Sequence, residues 1–538
     1  MPRCAHYPKW LSTSIRARPR HLLVALGLTA EAACSTSRTS AAESGEGISP
    51  GGLAAILIVN ARVLDGSGAP PRSASVRIVG DRIAEVGALG ARPWERVIDA
   101  AGLTLAPGFI DTHSHHDRGL VDQRDALALV SQGVTTIVVG QDGGSRTRLA
   151  DFFAQLERAP PAVNVASYVG HGTVRSAVMG EDFRRVATSA EVDRMSEIVQ
   201  AEMRAGALGL STGLEYDPGI YSSRGEVLDL ARAVAPFGGR YISHIRSEDR
   251  AFWQAIDEII AIGRDARVPV QISHIKLAMR SLWGQADSLI RVLDRARAAG
   301  VDVTADIYPY TYWQSTLTVL FPERDFANRA TAEFVLREIA TPEGLLLSRF
   351  APDTTYVGKT VAEIARLRAT DPATTLMALI RETEAAERAG RPSSESVIGT
   401  SMDERDIARL LAWPHANVCS DGELAGRHPR GFGAFPRVLR RYVREDGVLT
   451  LAEAVRKMTS LSAAHVGIRD RGRIAPGYFA DLVLFDPRTV SDRATPTAPR
   501  EVSIGIKTVW VNGQIVYQRG AATGMYPGRV LRRWNGNR

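Results

Sequence analysis

Cysteine is scarce in this chain, at 3 of 538 residues, and aromatic residues make up only 7%. So few cysteines exclude a small disulfide-rich scaffold, which needs several pairs. Hydrophobic residues nevertheless reach 45%, which excludes an intrinsically disordered chain, and no collagen-like repeat is present. The composition is that of an ordinary globular enzyme. The length suffices for about three domains, or for one large barrel with an appendage.

The excess of positive charge is small and is concentrated at the N-terminus. The formal net charge is +7, and residues 1–47 hold six basic and three acidic residues, which leaves +4 for the remainder. Nucleic-acid-binding proteins gather Lys and Arg on one face to replace phosphate counterions, whereas both signs are mixed here. A nucleic-acid partner is therefore not expected.

The N-terminal segment has the pattern of a secretion signal. Arginines at positions 16, 18 and 20 precede an apolar run over residues 22–30, and Ala-Glu-Ala at 30–32 fits a signal-peptidase site. The run is too short for a membrane-spanning helix, so no transmembrane segment is predicted. We interpret residues 1–47 as a signal peptide and linker, and predict an exported, periplasmic protein.

Two other interpretations of this segment stay open. Cys34 would be the lipidated residue of a lipoprotein, although Glu31 stands where such signals carry an aliphatic residue. Alternatively, the segment is an extension of a cytoplasmic enzyme. Cys419 is the only cysteine outside this segment, so it cannot form an internal disulfide.

The remainder of the chain predicts an α/β fold with two parts. Short β-like runs at residues 48–107 and 471–538 are expected to form one small β-sandwich from both chain ends. Between them, over residues 108–470, β-like runs alternate with helical runs, a pattern typical of a (β/α)8 TIM-like barrel. A helical insertion or lid is expected near 320–400. The eight predicted barrel strands are Phe109–His115, Val134–Gly140, Val163–Val169, Ala207–Ser211, Tyr241–His244, Val268–His274, Val301–Tyr308 and Asn417–Asp421.

Polar side chains end several of these strands. His113 and His115 end the first strand, and their i, i+2 spacing places them on one side of it. His244, His274 and Asp421 end strands five, six and eight. In a barrel these ends share one face, so the side chains should converge. Imidazole and carboxylate donors suit zinc or a similar divalent ion, which predicts a metal site.

One further histidine follows strand three. His171, in Gly-His-Gly, is expected at the same rim, where it would orient the substrate or donate to a developing oxyanion. A loop histidine satisfied by a neighbouring residue is the alternative.

Ordered motifs give the chain a family resemblance. Gly-Phe-Ile-Asp-Thr-His-Ser-His at 108–115 resembles the opening motif of the amidohydrolase superfamily. Other segments are similar to its N-acyl-D-amino-acid deacylase (D-aminoacylase) branch: Val-Gly-His-Gly-Thr (169–173), Gly-Ala-Leu-Gly-Leu-Ser-Thr-Gly-Leu-Glu-Tyr (206–216), Ser-His-Ile-Arg-Ser-Glu (243–248), Ile-Ser-His-Ile-Lys (272–276), Tyr-Pro-Tyr-Thr (308–311), Ser-Asp-Gly (420–422) and His-Pro-Arg (428–430). The resemblance spans residues 53–530 and implies a zinc-bearing barrel with a β-sandwich.

The resemblance also implies a ligand set for one or two divalent ions. His113, His115 and Asp421 would hold one metal position, and His244 and His274 the second. The branch usually has a bridging cysteine after strand two, where this chain has Asp142. A carboxylate can bridge two hard cations, so either Asp142 preserves a binuclear site with a weaker preference for zinc, or the second site is weakened.

The resemblance further implies roles in catalysis and substrate binding. Asp421 would take a proton from the attacking water and return it to the leaving nitrogen. Tyr216 and Lys276 would bind the α-carboxylate of an N-acyl-D-amino acid, although Lys276 has a structural ion pair as its alternative. Arg430 corresponds to the position linked to the substrate side chain, where its charge would favour an acidic one.

Two neighbouring features complete the predicted site. Arg246 and Glu248 are interpreted as a supporting ion pair near the metals. Tyr312-Trp313-Gln314 replaces the small residues of the branch, and these bulky side chains should reshape the pocket.

The predicted function is metal-dependent hydrolysis of N-acyl-D-amino acids to a carboxylic acid and a D-amino acid. Another amidohydrolase reaction on the same metal core, such as cyclic-imide or dipeptide hydrolysis, is the first alternative. A catalytically silent paralogue that binds a ligand is the second, although retention of Asp421 and four histidines argues against it.

Overall fold

The computed structural model describes residues 52–533. The predicted signal peptide and linker at 1–47 lie outside these residues, so export stays a prediction. Within residues 52–533, no helix combines the length and the apolar character needed to cross a membrane.

The strands are numbered β1 to β21 in chain order. Their bounds are β1 Ala55–Val63, β2 Arg72–Val79, β3 Arg82–Gly87, β4 Arg96–Asp99, β5 Thr104–Pro107, β6 Phe109–Asp111, β7 Val134–Val139, β8 Asn164–Ser167, β9 Val169–Gly170, β10 Gly209–Gly213, β11 Arg240–His244, β12 Val270–Ile272, β13 Val303–Ile307, β14 Tyr312–Ser315, β15 Leu345–Phe350, β16 Glu395–Thr400, β17 Ala416–Val418, β18 Leu482–Phe485, β19 Ile506–Val511, β20 Gln514–Gln518 and β21 Ala521–Ala522.

The α-helices are numbered α1 to α14 in the same way. Their bounds are α1 Leu127–Val130, α2 Leu149–Arg158, α3 His171–Met179, α4 Ser189–Ala205, α5 Arg224–Val234, α6 Phe252–Ala266, α7 Ala286–Ala298, α8 Arg329–Phe334, α9 Val361–Arg368, α10 Pro372–Arg388, α11 Glu404–Ala412, α12 Arg430–Arg437, α13 Leu451–Met458 and α14 Ser460–Val466.

The predicted barrel is formed by β6 to β13 together with β17. Strands β6, β7 and β8 pair in parallel, and so do β9, β10, β11, β12, β13 and β17 in that order. The third barrel strand belongs to both groups, since β8 and β9 are separated only by Tyr168. Backbone bonds close the ring, from His115 N to Gly422 O and from Asp421 N to His113 O, each 2.9 Å. All eight predicted barrel strands are therefore present. Most are shorter than the sequence suggested, the fourth is shifted by two residues, and the fifth is one residue longer.

The helix α4 illustrates why the barrel helices form where they do. Thr188 caps its N-terminus and forms a reciprocal capping box with Glu191, which satisfies amide groups that a helix start leaves free. Met195, Val199 and Met203 recur every four residues and are fully buried, so one stripe of the helix packs inward. Gly206 then ends the helix in the left-handed conformation.

Both chain ends contribute to one β domain, as predicted. Nine strands pair in a single sheet, in which β5 of the N-terminal part lies antiparallel to β18 of the C-terminal part. Alternate side chains from both parts meet in one apolar cluster that includes Ile58, Val76, Leu482 and Trp510. Because β5 is followed directly by β6, the first barrel strand, this pairing places the C-terminal part of the chain next to the start of the barrel.

The insertion between the seventh and eighth barrel strands differs from the helical segment that we expected. It contains α8, α9 and α10, and also a three-stranded antiparallel sheet in the order β14, β16, β15. Its sheet begins at Tyr312, directly after the seventh barrel strand. Strand β14 therefore carries Trp313 and Gln314 to the mouth of the barrel.

Candidate metal centre

The six predicted metal ligands lie together at the carboxyl ends of the barrel strands. Donor atoms of one group lie within 4.8 Å of one another, and this group consists of His113, His115, Asp142 and Asp421. Donor atoms of a second group satisfy the same limit, and this group consists of Asp142, His244 and His274. Asp142 belongs to both groups. The predicted convergence of residues from five strands is therefore present.

Within the first group, both histidines turn Nε2 toward the two carboxylates. His115 Nε2 lies 3.2 Å from Asp142 Oδ2 and 3.2 Å from Asp421 Oδ1. His113 Nε2 lies 3.3 Å from Asp142 Oδ2 and 3.6 Å from Asp421 Oδ1. Both imidazoles therefore face the same small space between two carboxylates.

The second group shares the other oxygen of Asp142. His274 Nε2 lies 3.4 Å from Asp142 Oδ1 and 3.0 Å from His244 Nδ1. The hydroxyl of Tyr216 also lies 3.2 Å from His244 Nδ1. Asp142 thus places one carboxylate oxygen toward each group, which is the geometry expected of a bridging carboxylate.

Three of these residues have an unusual backbone conformation. Asp142, His274 and Asp421 have φ values of 52°, 36° and 49°. Non-glycine residues seldom adopt positive φ, and clusters of them mark functional sites where the surrounding fold maintains the strain. The Asp142 loop also packs closely on Gly213, since a Cβ there would lie 2.2 Å from the Asp142 carbonyl oxygen.

The charges of the two groups are strongly coupled. Burial alone would raise the pKa of Asp142, but His113 and His274 outweigh it and hold that pKa well below its usual range. Burial alone would lower the pKa of His115, but Asp142 and Asp421 raise it to about 10. The carboxylates are thus ionised and attract positive charge into the cluster.

The side chains fit a divalent cation. Asp142 Oδ1 is buried and makes no hydrogen bond, an arrangement that is costly unless another partner is bound. Imidazole nitrogens and carboxylate oxygens are ordinary ligands of zinc and of harder divalent ions. Thiolate is missing from this set, because Cys419 is buried and its sulfur contacts Asp306 instead.

Arg430 contacts Asp421 directly. Arg430 Nη1 lies 2.6 Å from Asp421 Oδ2, and both side chains are buried. Burial alone would raise the pKa of Asp421, but Arg430 and His113 lower it well below its usual range. Asp421 is therefore kept as a carboxylate, the form that accepts a proton. Arg430 is thus paired with Asp421, and its selection of an acidic substrate side chain stays a prediction.

Lys276 lies beside the second group and is also paired. Its Nζ contacts Glu248 and lies 2.7 Å from His274 Nδ1. The Lys276 side chain is buried, and the Glu248 side chain is 14% exposed. The structural alternative for Lys276 is therefore present, although the residue also lines the cavity beside the metal groups together with Tyr216.

Two neighbouring residues, Arg246 and His171, have carboxylate partners outside the metal groups. Arg246 pairs with Glu258, at 2.8 and 2.9 Å, and not with Glu248, which pairs with Lys276. His171 is buried at the start of α3, where Nε2 bonds to Glu226 at 2.8 Å. His171 lines neither of the two cavities at the metal groups. The alternative of a histidine satisfied by a neighbouring residue is therefore present, and the oxyanion role stays a prediction.

Sequence reasoning missed two acidic residues near His244 and His274, namely Glu215 and Asp306, and assigned Glu248 a different partner. Glu215 accepts a hydrogen bond from His244 Nε2 at 3.0 Å, and Glu248 lies 3.2 Å from His274 Nδ1. Asp306 accepts the backbone N–H of His274 at 2.6 Å. Carboxylates behind metal-binding histidines fix the orientation of the rings. Asp306 lies two residues before the end of the seventh predicted strand, so a search of the strand ends could have found it, whereas Glu215 lies in a loop.

Two cavities open beside the metal groups. The first, called the side pocket, has an apolar wall made by Ala278, Tyr308, Trp313, Val319, Leu320 and Ile339. The second, called the mouth cavity, measures about 380 Å³ and is lined by His115, Asp142 and Asp421 among others. Trp313 lines the side pocket and Gln314 lines both cavities, as we expected from the bulky residues that replace the small ones of the family.

A family comparison agrees with this geometry. The amidohydrolase family model matches residues 96–341 and 326–517, which cover most of the barrel and part of the β domain. The chain belongs to the amidohydrolase family.

Individual relatives are similar over nearly their whole length. The N-acyl-D-glutamate deacylase of Alcaligenes xylosoxydans xylosoxydans is 39% identical, with 89% of this chain and 96% of the relative covered. The D-aminoacylase of the same organism is 36% identical, with 89% and 97% covered. The structure of N-acyl-D-glutamate deacylase from Bordetella bronchiseptica, in complex with zinc and a phosphonate mimic of the tetrahedral intermediate, is 36% identical, covers 89% of this chain and 99% of that one, and has a TM-score of 0.79.

Proposed function

We propose that this chain is a metal-dependent hydrolase that cleaves the amide bond of N-acyl-D-amino acids with a neutral, apolar side chain. The observation that carries the proposal is the convergence of four histidines and two aspartates at the barrel mouth beside the side pocket. The relatives named above act on, or are named for, N-acyl-D-amino acids. Zinc is the ion bound in the related Bordetella enzyme, and we propose it, or a harder divalent ion, for this site.

In the proposed site, His113, His115, Asp142 and Asp421 hold one cation, and Asp142, His244 and His274 hold a second where it is present. A divalent ion bound there would lower the pKa of a water ligand and polarise the amide carbonyl. Asp142 keeps the two positions adjacent, because each of its oxygens faces one group.

Asp421 is the proton carrier of the proposed reaction. Its carboxylate is ionised, lies at the wall of both cavities and faces the first ligand group. It accepts a proton from the attacking water and transfers it to the leaving nitrogen, which departs as the amine of the D-amino acid. Arg430 holds Oδ2 in place, which leaves Oδ1 toward the reacting centre.

Tyr216 and Lys276 are proposed to bind the α-carboxylate. Both line the side pocket next to His244 and His274, and the Lys276 ammonium is within reach of a substrate that enters there. The substrate carboxylate would share this ammonium with Glu248, which restrains the lysine in one position.

The side pocket favours an apolar amino-acid side chain. Its two cations, Lys276 and Arg430, are paired with Glu248 and Asp421, and four carboxylates lie in its walls: Glu215, Glu248, Asp249 and Asp421. An acidic side chain would meet no free positive charge there, and its desolvation would not be offset. We therefore expect this chain to differ in substrate side chain from the N-acyl-D-glutamate deacylase that it resembles.

The proposed activity is tested with metal-loaded protein and paired N-acetyl amino acids. We expect hydrolysis of N-acetyl-D-leucine, no measurable hydrolysis of the L form, loss of activity after chelation and recovery on adding the divalent ion. Metal analysis of the same sample should show one or two ions per chain. Absence of turnover on every N-acetyl-D-amino acid at full metal loading would remove the proposal.

The pocket assignment predicts the effect of a new cation. Val319→Arg adds a guanidinium to the apolar wall, so the ratio of kcat/KM for N-acetyl-D-glutamate to that for N-acetyl-D-leucine should rise about tenfold. Val186→Arg is the matched control, because Val186 is exposed and lies outside both cavities. An unchanged ratio in Val319→Arg, or an equal rise in the control, would contradict the side pocket as the site of the amino-acid side chain.

A further inference from the structure

A third cavity adjoins the mouth cavity. It measures about 290 Å³ and is called the arginine cavity here. Gln314, Arg349 and Ser396 line both it and the mouth cavity, so the two spaces are neighbours. A ligand held at the metal groups therefore has room to extend toward this cavity.

The charged residues in the walls of the arginine cavity are all basic. Arg349, Arg427 and Arg500 line it, and none of its wall residues is acidic. Within residues 52–533, the side chains of Arg349 and Arg427 form no ion pair and no hydrogen bond. Arg500 donates one hydrogen bond to the carbonyl oxygen of Ala425, at 2.8 Å, which does not neutralise its charge. Three exposed guanidinium groups thus line one space, and none of them has an ion pair among the described residues.

The acidic residues closest to this cavity do not neutralise it. Glu423, in the mouth cavity, pairs with Arg118 at 3.1 Å, and Glu501 lies 4.0 Å from Arg493. Glu395, also in the mouth cavity, interacts with Arg349, but burial of its carboxyl outweighs this and raises its pKa to about 8, so the protonated form predominates at neutral pH. The basic residues of the arginine cavity therefore outnumber the acidic residues near it, which favours an anionic ligand group.

The two ends of the proposed substrate leave the reacting carbonyl in different directions. The amino-acid part occupies the side pocket with Tyr216 and Lys276. The acyl part then extends into the mouth cavity, whose far wall includes Arg349. A charge at the distal end of the acyl group would reach the guanidinium groups there.

We propose that the arginine cavity binds a carboxylate at the distal end of the acyl group, so that the preferred acyl groups are those of dicarboxylic acids. This inference rests on the proposed deacylase function and adds the chemical class of the acyl part. Guanidinium groups suit this role, because they form bidentate, charge-assisted bonds with carboxylates. The reaction is then hydrolysis of the amide to a free D-amino acid and a dicarboxylic acid, with water as the only co-reactant.

The test compares acyl groups of equal length with and without the terminal charge. N-succinyl-, N-glutaryl- and N-adipoyl-D-leucine are paired with the N-pentanoyl, N-hexanoyl and N-heptanoyl forms. We expect at least one charged member to have a kcat/KM about tenfold above that of its uncharged partner, mainly through KM, and this advantage to shrink as salt is raised. Equal or lower values for all three charged members would overturn the inference.

Variants assign the effect to the cavity. Arg349→Gln and Arg427→Gln should each lower the ratio of kcat/KM for the favoured charged substrate to its uncharged partner by about fivefold. Arg381→Gln is the control, because Arg381 is exposed on α10 and lines none of the three cavities. An undiminished ratio in both cavity variants would overturn the inference.

Different experiments test the inference and the proposed function, so the failure of one can be told from the failure of the other. N-acetyl-D-leucine lacks a distal charge, so its hydrolysis tests the function alone. Calorimetric binding of the charged and uncharged substrates to metal-loaded Asp421→Asn protein tests the cavity without turnover. Tighter binding of the charged member, lost in the double variant with Arg349→Gln, supports the cavity; equal binding overturns it.

Discussion

Asp421→Asn is expected to lower kcat by at least about 10²-fold while the fold is retained. The amide is isosteric with the carboxylate but cannot accept the proton of the attacking water. An amide oxygen can still face the ligand group, and Asn tolerates the left-handed backbone found at this position, with φ of 49°. Steady-state kinetics and circular dichroism on metal-loaded protein measure the two parts of this expectation.

A matched control and a metal measurement make this result specific. Asp470→Asn applies the same change at another left-handed aspartate, with φ of 57°, whose side chain is exposed and pairs only loosely with Arg82. It should leave kcat unchanged. Metal content of Asp421→Asn separates proton transfer from ligation, because a fully loaded but inactive variant has lost the proton carrier. Near-normal turnover in Asp421→Asn would disprove the assigned role.

The sequence predicted the parts of the site that depend on strand ends. His113, His115, His244, His274 and Asp421 all follow apolar runs, and parallel strands of a barrel open at one face. Their convergence could therefore be inferred before any distance was known. The role of Asp142 came from the family resemblance, because a Gly-rich turn after the second strand has no distinctive periodicity.

The parts that could not be predicted depend on pairing between distant side chains. Arg430 and Lys276 were expected to meet the substrate, yet each is held by a carboxylate, Asp421 and Glu248 respectively. No local pattern specifies such partners, since they come from loops after different strands. The sheet of the insertion escaped prediction for the same reason, because β14 pairs with β16, which lies more than 80 residues later.

The pairing of β14 with β16 also explains why part of the side-pocket wall is apolar. Strand β14 leaves the barrel at Tyr312, and its pairing with β16 directs Trp313 to the pocket wall. Trp313 Nε1 donates to the hydroxyl of Ser401 at 2.6 Å, which fixes the indole in that wall. An aromatic residue buried with its N–H satisfied is a rigid wall, so this difference from the family should act on substrate choice and not on metal binding.

Asp142→Asn is the second substitution with a large expected effect. Asp142 is the only residue common to both ligand groups, and its Oδ1 is buried without a hydrogen bond. Asn keeps its size and suits its φ of 52°, but removes the charge that faces His113, His115 and His274. We expect the affinity for divalent metal to fall at least about 100-fold, and a binuclear stoichiometry, where present in the wild type, to become one ion per chain.

Asp142→Cys distinguishes a bridging ligand from a residue that only supports the loop. A thiolate at this position restores the donor that the resemblance implies, so metal affinity should recover relative to Asp142→Asn, and the preference for zinc over manganese should rise at least about tenfold above the wild type, because thiolate is the softer donor. Competition titrations followed by elemental analysis measure both quantities without reference to turnover. If Asn and Cys variants bind metal with the affinity and preference of the wild type, Asp142 does not contact the ion, and the two ligand groups must be joined by another residue.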